Sequence, residues 1–96
     1  MYSKLLNVTK RAARELSKLL YDSVDMPQAR LRILDRGQGV LGLGIDIEGP
    51  TDYIIKCEGS SVLVIGKELV EYLKGVTLDI EEGDKGDEFV FLFPIR

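Results

Sequence analysis

The chain has 96 residues, of which 45% are hydrophobic and 30% are charged, and this composition predicts one domain with an apolar core. It contains one cysteine and no histidine, which excludes an ordinary thiolate or imidazole metal site built within one copy of these residues. The net charge of −3 argues against nucleic acid as a partner, because neutralising phosphates requires a positive surface.

The sequence carries no pattern that predicts export or membrane insertion. Residues 1–6 lack the apolar stretch of a signal peptide, and no run approaches the ~20 apolar residues of a membrane helix. One cysteine cannot form an intramolecular disulfide, so nothing indicates an oxidising compartment. We therefore expect a cytoplasmic protein without a membrane partner.

Residues 9–21 have the spacing of an amphipathic helix. Ala12, Leu16 and Leu20 repeat on one face, and lysines and arginines occupy the other. Thr9 is the predicted N-cap, since its hydroxyl can accept a hydrogen bond from the first turn. A basic amphipathic helix can lie on a membrane surface, but a helix that covers a sheet is the more common case for such a stripe.

Alternating apolar and polar residues next predict two strands joined by a turn. Ala29, Leu31 and Ile33 alternate with arginines, and a second alternating stretch begins at Leu41, after a turn at residues 36–39.

The second half of the sequence predicts four more strands and a second helix. Glu58 and Gly59 mark a hairpin turn, and Gly75 is the expected C-terminal cap of the helix. The predicted bounds are 52–56 and 62–65 for two strands, 67–74 for the helix, and 76–81 and 88–93 for the last strands. Residues 88–93 are apolar on both faces, so we expect that strand to be central and buried.

The predicted element order is α-β-β-β-β-α-β-β, which favours a compact α+β or mainly β domain spanning residues 1–96. Parallel neighbouring strands need crossovers of a dozen or more residues, and only two helices interrupt the six strands. We therefore expect the first helix to pack on bent, mixed or antiparallel sheets.

Residues 37–42 of the glycine-rich loop, which spans residues 37–44, match the pattern GxGxxG. In a dinucleotide-binding fold those glycines open a helix whose amides hold the pyrophosphate, but the residues after Gly39 alternate as a strand does. The favoured interpretation is structural: Gly42 and Gly44 lie on one face of a strand and allow a close approach or a bend.

Cys57 gives little chemical information by itself. A lone cysteine is most often a small apolar core residue or an inert surface thiol, and without a histidine no general base is at hand to activate it. The acidic residues 79–88 do not follow the order of an EF-hand loop, so we interpret them as a solvated hairpin connection.

The ordered pieces of the sequence resemble the HesB/IscA-like family, the A-type iron–sulfur carriers. Residues 8–16, Val-Thr-Lys-Arg-Ala-Ala-Arg-Glu-Leu, resemble the opening helix of that family. Residues 29–33 and 37–46 resemble its strand and glycine-rich loop, and residues 58–69, 72–75 and 89–91 resemble its closing half. The resemblance covers about residues 8–94 and implies the HesB-like fold.

The chain departs from the family pattern where the resemblance implies ligands. The family is expected to bind iron or a cluster through one loop cysteine and a C-terminal Cys-Gly-Cys motif. Gln38 stands about where the loop cysteine is expected, Cys57 matches none of the three positions, and the sequence ends at Arg96 before the motif would begin. We therefore assign no catalytic, cofactor-binding or metal-ligating residue and no cofactor.

These observations predict a non-catalytic HesB-like domain without the usual cluster ligands. We expect a binding or interaction module, with a link to iron–sulfur cluster assembly through a protein partner, that forms a homo-oligomer and is not an enzyme. One alternative is iron or iron–sulfur binding through Cys57 shared between subunits. The other is a small-ligand binder or an enzyme that uses residues 37–44.

Overall fold

A computed structural model describes residues 6–23, 25–57 and 59–95, and in that part of the chain it has two helices and seven strands. The elements are β1 (Asn7–Val8), α1 (Lys10–Ser23), β2 (Ala29–Asp35), β3 (Leu41–Ile47), β4 (Tyr53–Cys57), β5 (Ser60–Ile65), a 3₁₀ turn (Lys67–Leu69) leading into α2 (Val70–Leu73), β6 (Thr77–Gly83) and β7 (Gly86–Leu92). The predicted order is confirmed, with β1 as an addition. Residues 1–5, Val24, Glu58 of the predicted hairpin turn, and Arg96 lie outside the described residues.

The strands form two mixed sheets, as the scarcity of helices predicts. The four-stranded sheet has the order β3-β2-β5-β4, in which β2 runs antiparallel to β3 and parallel to β5. The three-stranded sheet has the order β1-β6-β7, in which β1 is parallel to β6 and β7 is antiparallel to it. Helix α1 contacts strands of both sheets and buries Ala12 and Leu16 completely. The core therefore lies between α1 and the inner faces of the two sheets.

Thr9 caps α1, as predicted, and also ties the helix to β6. Its Oγ1 accepts a hydrogen bond from the amide of Ala12 at 3.1 Å and donates one to Asp79 Oδ1 at 2.7 Å. The bond from Thr9 is the main reason that the pKa of Asp79 lies below its usual value. This contact fixes where the helix begins relative to the three-stranded sheet.

The prediction that residues 88–93 form a central, buried strand is wrong. Strand β7 is an edge strand, and β6 occupies the centre of its sheet. Phe89 and Phe91 pack against the core, but Leu92 on the opposite face is 46% exposed. A run that is apolar on both faces indicates two covered faces, yet among the described residues only one face of β7 has a layer packed on it.

Arg32 joins β2, β3 and the segment before β4 on the outer face of the four-stranded sheet. Its guanidinium donates to both carboxylate oxygens of Asp52 and, through Nε, to Asp46 Oδ2 at 2.8 Å. Asp52 also accepts a hydrogen bond from the amide of Gly49 at 2.6 Å, and its side chain is 8% exposed. The hydrogen bond from Arg32 is the main cause that lowers the pKa of Asp52.

Gly42 and Gly44 leave space that neighbouring side chains occupy. A Cβ atom at position 44 would lie 2.8 Å from Leu34 Cδ1, a half-buried side chain across the β2–β3 pair. A Cβ atom at position 42 would instead meet the side chain of Arg36, which is exposed. The close approach at Gly44 is therefore confined, whereas the approach at Gly42 can be relieved by rotation into solvent.

Replacing the two glycines with valine should separate these cases. Gly44→Val is expected to lower the free energy of unfolding by about 1–3 kcal/mol, because Leu34 must leave its position. Gly42→Val is the matched control and should change it by less than about 1 kcal/mol, since Arg36 can swing away. Urea denaturation of both variants measures this, and equal values at the two positions would contradict the packing role of Gly44.

Asp52→Asn is expected to lower the free energy of unfolding by about 1.5–3 kcal/mol, because Arg32 loses its charged acceptor. Asp46→Asn is the control and should cost less than about 1 kcal/mol, since Asp46 is 55% exposed. The folded-state pKa of Asp52 lies below its usual value of 3.8, so its contribution is present above that pH and is lost as the pH falls through the folded-state pKa.

Stability measured against pH is therefore expected to fall more steeply below about pH 3.8 in the wild type than in Asp52→Asn. Acid limbs of the same slope in both proteins would show that the Arg32–Asp52 pair does not contribute.

Candidate functional site at the glycine-rich loop

The glycine-rich loop is the turn of the β2–β3 hairpin. Three successive residues have positive φ angles, with values of 92° at Gly37, 54° at Gln38 and 79° at Gly39. The amide of Gly37 donates to Asp35 Oδ1 at 2.8 Å, and the amide of Val40 donates to the carbonyl of Gly37 at 3.0 Å. The two glycines thus serve the left-handed turn, and the residues that follow form β3 rather than a phosphate-binding helix.

A hollow of about 340 Å³ lies between this loop and the second helical segment. Asp35 and Gln38 border it on the loop side, and Glu68 and Tyr72 border it on the helical side. Its polar groups are carboxylates, an amide and a phenol. Iron–sulfur clusters are held chiefly by cysteine thiolates, so these residues do not fit a cluster.

Tyr72 also connects the hollow to the segment after β7. Its ring meets the ring of Phe93 edge-on, with 5.4 Å between the centroids and 61° between the planes. Pro94 lies against Gly75, 3.7 Å from where a Cβ atom would stand. The chain after β7 therefore packs on the helical segment whose Tyr72 borders the hollow.

Cys57 lies in the core and not at the loop. Its side chain is 3% exposed at the end of β4, just after a register shift between Ile55 and Lys56. It belongs to the same apolar cluster as Leu16 and Val62. Of the two structural interpretations, the small core residue is confirmed and the surface thiol is wrong.

The thiol and the loop lie at opposite ends of the four-stranded sheet. Cys57 pairs with Ser60, and the register of β5 on β2 places that pair beside the start of β2, whereas Gln38 follows its end. Seven residues of extended chain span ~20 Å. Cys57 therefore cannot reach a metal or cluster bound beside Gln38 of the same chain.

The rest of the described chain offers no other ligand set. Within residues 6–23, 25–57 and 59–95, no three cysteine, aspartate or glutamate side chains are grouped to hold a metal ion. The acidic stretch forms the β6–β7 hairpin, as predicted, with Gly83 paired to Gly86 across its turn. Neither helix of the described part combines the length and apolarity needed to span a bilayer.

Comparison with known proteins identifies a related sequence and structures with the same fold. No family model matches the chain. An uncharacterised protein from the nifU 5′ region of Cereibacter sphaeroides is 34% identical over 85 residues, which is 83% of this chain and 79% of that protein.

Three solved structures share the fold. SufA of Escherichia coli, described as involved in the biosynthesis of iron–sulfur clusters, has a TM-score of 0.72 at 19% identity, over 98% of this chain and 90% of SufA. IscA solved with a [2Fe–2S] cluster has a TM-score of 0.65 at 25% identity, over 93% and 85% of the two chains. A protein from Aquifex aeolicus has a TM-score of 0.61 at 20% identity, over 98% and 96%.

The fold is thus that of the carriers of iron–sulfur cluster assembly. The chain belongs to the HesB/IscA-like family, the A-type iron–sulfur carriers, as its sequence resemblance indicates.

Proposed function

We propose that this domain is a non-catalytic interaction module of iron–sulfur cluster assembly and that residues 1–96 of one copy do not hold a cluster. Three relatives support the link to this process: SufA by its described role, IscA by its bound [2Fe–2S] cluster, and the Cereibacter protein by its nifU neighbourhood. The chain keeps the scaffold of the family but has another residue at the loop position where a ligand is expected. This combination favours binding to another assembly protein over carrying a cluster.

The observation that carries the proposal is the chemistry of position 38. Gln38 is exposed at the tip of the left-handed turn, where the family resemblance places a cysteine. A neutral amide does not replace the thiolate that an iron–sulfur cluster requires. The side chain of Gln38 is exposed and takes no part in the hydrogen bonds of the turn, so a change between cysteine and glutamine alters the ligand and leaves the turn in place.

Burial of Cys57 weighs against the alternative of a thiol shared between subunits. Cys57 is 3% exposed, so it offers little surface to a metal or cluster shared with a second copy. The interpretation of residues 37–44 as an enzyme site gains no support either. Among the described residues, no serine, cysteine or lysine lines the hollow beside the loop to act as a nucleophile next to a base.

We also propose that the domain acts in the cytoplasm, binds neither nucleic acid nor membrane, and self-associates. Strand β3 is an edge of the four-stranded sheet, and it exposes Ile45 and Ile47 at 46% and 51%. An apolar edge strand of this kind gains stability when another strand covers it.

Light scattering is expected to give a mass above that of the 10.7 kDa chain at tens of micromolar. A double variant with Ile45→Lys and Ile47→Lys should shift the population toward monomer, because charges on an edge oppose pairing. Ile95→Lys is the control, since Ile95 is 99% exposed outside the strands. A strict monomer in the wild type would contradict self-association.

Anaerobic treatment with iron and sulfide tests the ligand-loss proposal. The wild type should stay colourless, and Gln38→Cys alone should give at most a weak, labile chromophore, because it adds one thiolate. Gln38→Cys with an appended tail that carries Cys-Gly-Cys should do better, since it adds three thiolates and Phe93 already packs on Tyr72, which borders the hollow beside the loop. The spacing between Pro94 and the new cysteines has to be varied.

The matched control for this graft is Gln38→Ser with the same tail, which has the same shape at position 38 without a thiolate. A stable cluster in the wild type that Cys57→Ser abolishes would overturn the proposal in favour of the shared thiol. A chromophore that is equal in the serine and cysteine grafts would show that the loop does not contribute a ligand.

A further inference from the structure

A second concave surface, at the other end of the molecule from the glycine-rich loop, collects positive charge. This basic groove, about 360 Å³ in volume, lies between the first turns of α1 and the end of β4. It is lined by Val8, Lys10, Ala13, Arg14, Lys56 and Cys57. Lys10, Arg14 and Lys56 are exposed and are the charged side chains that line it among the described residues, whereas Val8 and Ala13 are half-buried and apolar.

The three cations of the basic groove have no ion-pair partner among the described residues. Neither lysine nor Arg14 forms an ion pair there, although Arg11, one residue from Lys10, is paired with Asp79 at 3.4 Å. The chain has more acidic than basic residues, 16 against 13, yet no acid within residues 6–23, 25–57 and 59–95 lines this groove. Like charges that converge without a counterion repel one another, and a bound anion relieves the repulsion.

The orientation of α1 adds to this positive field. The N-terminal end of a helix carries partial positive charge and favours acidic side chains, and the C-terminal end favours basic ones. Helix α1 has the reverse arrangement, with Lys10 and Arg11 in the first turn, no acid there and no base in the last turn. The groove therefore combines Lys10, which lies at the unfavourable end of the helix, with Arg14 from the next turn and a third cation, Lys56, from β4.

We propose that the basic groove binds a small multivalent oxyanion, with phosphate or carboxylate groups. Arg14 can hold two oxygens of such a group at once, and the two lysines add point charges from opposite walls. A volume of about 360 Å³ is at the small end of ligand pockets and fits a small molecule. The site does not depend on the function proposed above, because it uses neither Gln38 nor the hollow beside it.

Titration of the ¹⁵N-labelled chain, followed by amide chemical shifts, tests this site. The probes are pyrophosphate and citrate, which separate phosphate from carboxylate chemistry, each at a constant ionic strength set with sodium chloride. The amides of Lys10, Arg14 and Lys56 are expected to shift together and to saturate with one dissociation constant for at least one probe. Higher salt should weaken this binding, because its attraction is electrostatic.

Substitution of single cations on α1 distinguishes binding in the basic groove from general attraction of anions to positive charge. Arg14→Gln is expected to weaken binding about tenfold, since it removes a charge-assisted pair of hydrogen bonds. Lys18→Gln is the matched control on the same helix, outside the groove, and should change affinity by less than about twofold. Circular dichroism verifies that both variants fold, as expected for exposed positions.

Three outcomes would overturn the proposal. The first is the absence of saturable shifts with either probe, and the second is an equal loss of affinity in Arg14→Gln and Lys18→Gln. The third is binding of a glutamate-rich peptide to the same amides while both small anions fail, which would make the groove a docking surface for an acidic protein segment.

Discussion

The pairing of β2 with β3 on one side and with β5 on the other determines where the chemistry of this protein can lie. Leu31 and Ile33 are buried in the core on the inner face, so β2 cannot slip by one residue without turning these apolar side chains to the outer face. Its direction fixes the glycine-rich loop at one end of the sheet and the only thiol of residues 1–96 near the other. The separation of Gln38 from Cys57 is therefore a property of the fold.

The contacts that shape the glycine-rich loop do not involve the side chain at position 38, where the family resemblance implies a ligand. The left-handed turn at residues 37–39 is held by backbone and carboxylate hydrogen bonds that do not involve the side chain of Gln38. The segment after β7 still passes Tyr72 beside that turn. Both features are formed by contacts within the chain, so an amide at the position where the resemblance implies a ligand is compatible with the fold.

Local signals in the sequence were sufficient for most of the fold. Thr9 caps α1 through a contact with its own first turn, and the β2–β3 hairpin follows from period-two alternation. Strand β1 was missed because two residues carry no periodicity, and the edge position of β7 was missed because an apolar run does not specify its neighbours. The basic groove could not be predicted, since only the packing of α1 against β4 brings Lys10 to Lys56.

The central claim is that this family member keeps the carrier fold and holds no cluster on residues 1–96 of one copy. Its most direct test is the iron and acid-labile sulfide content of the protein purified under strict anaerobic conditions from cells with an active assembly pathway. The account predicts that both stay far below one atom per chain and do not change in Cys57→Ser. Stoichiometric iron and sulfide in the wild type, with the visible absorption of a cluster, would contradict it.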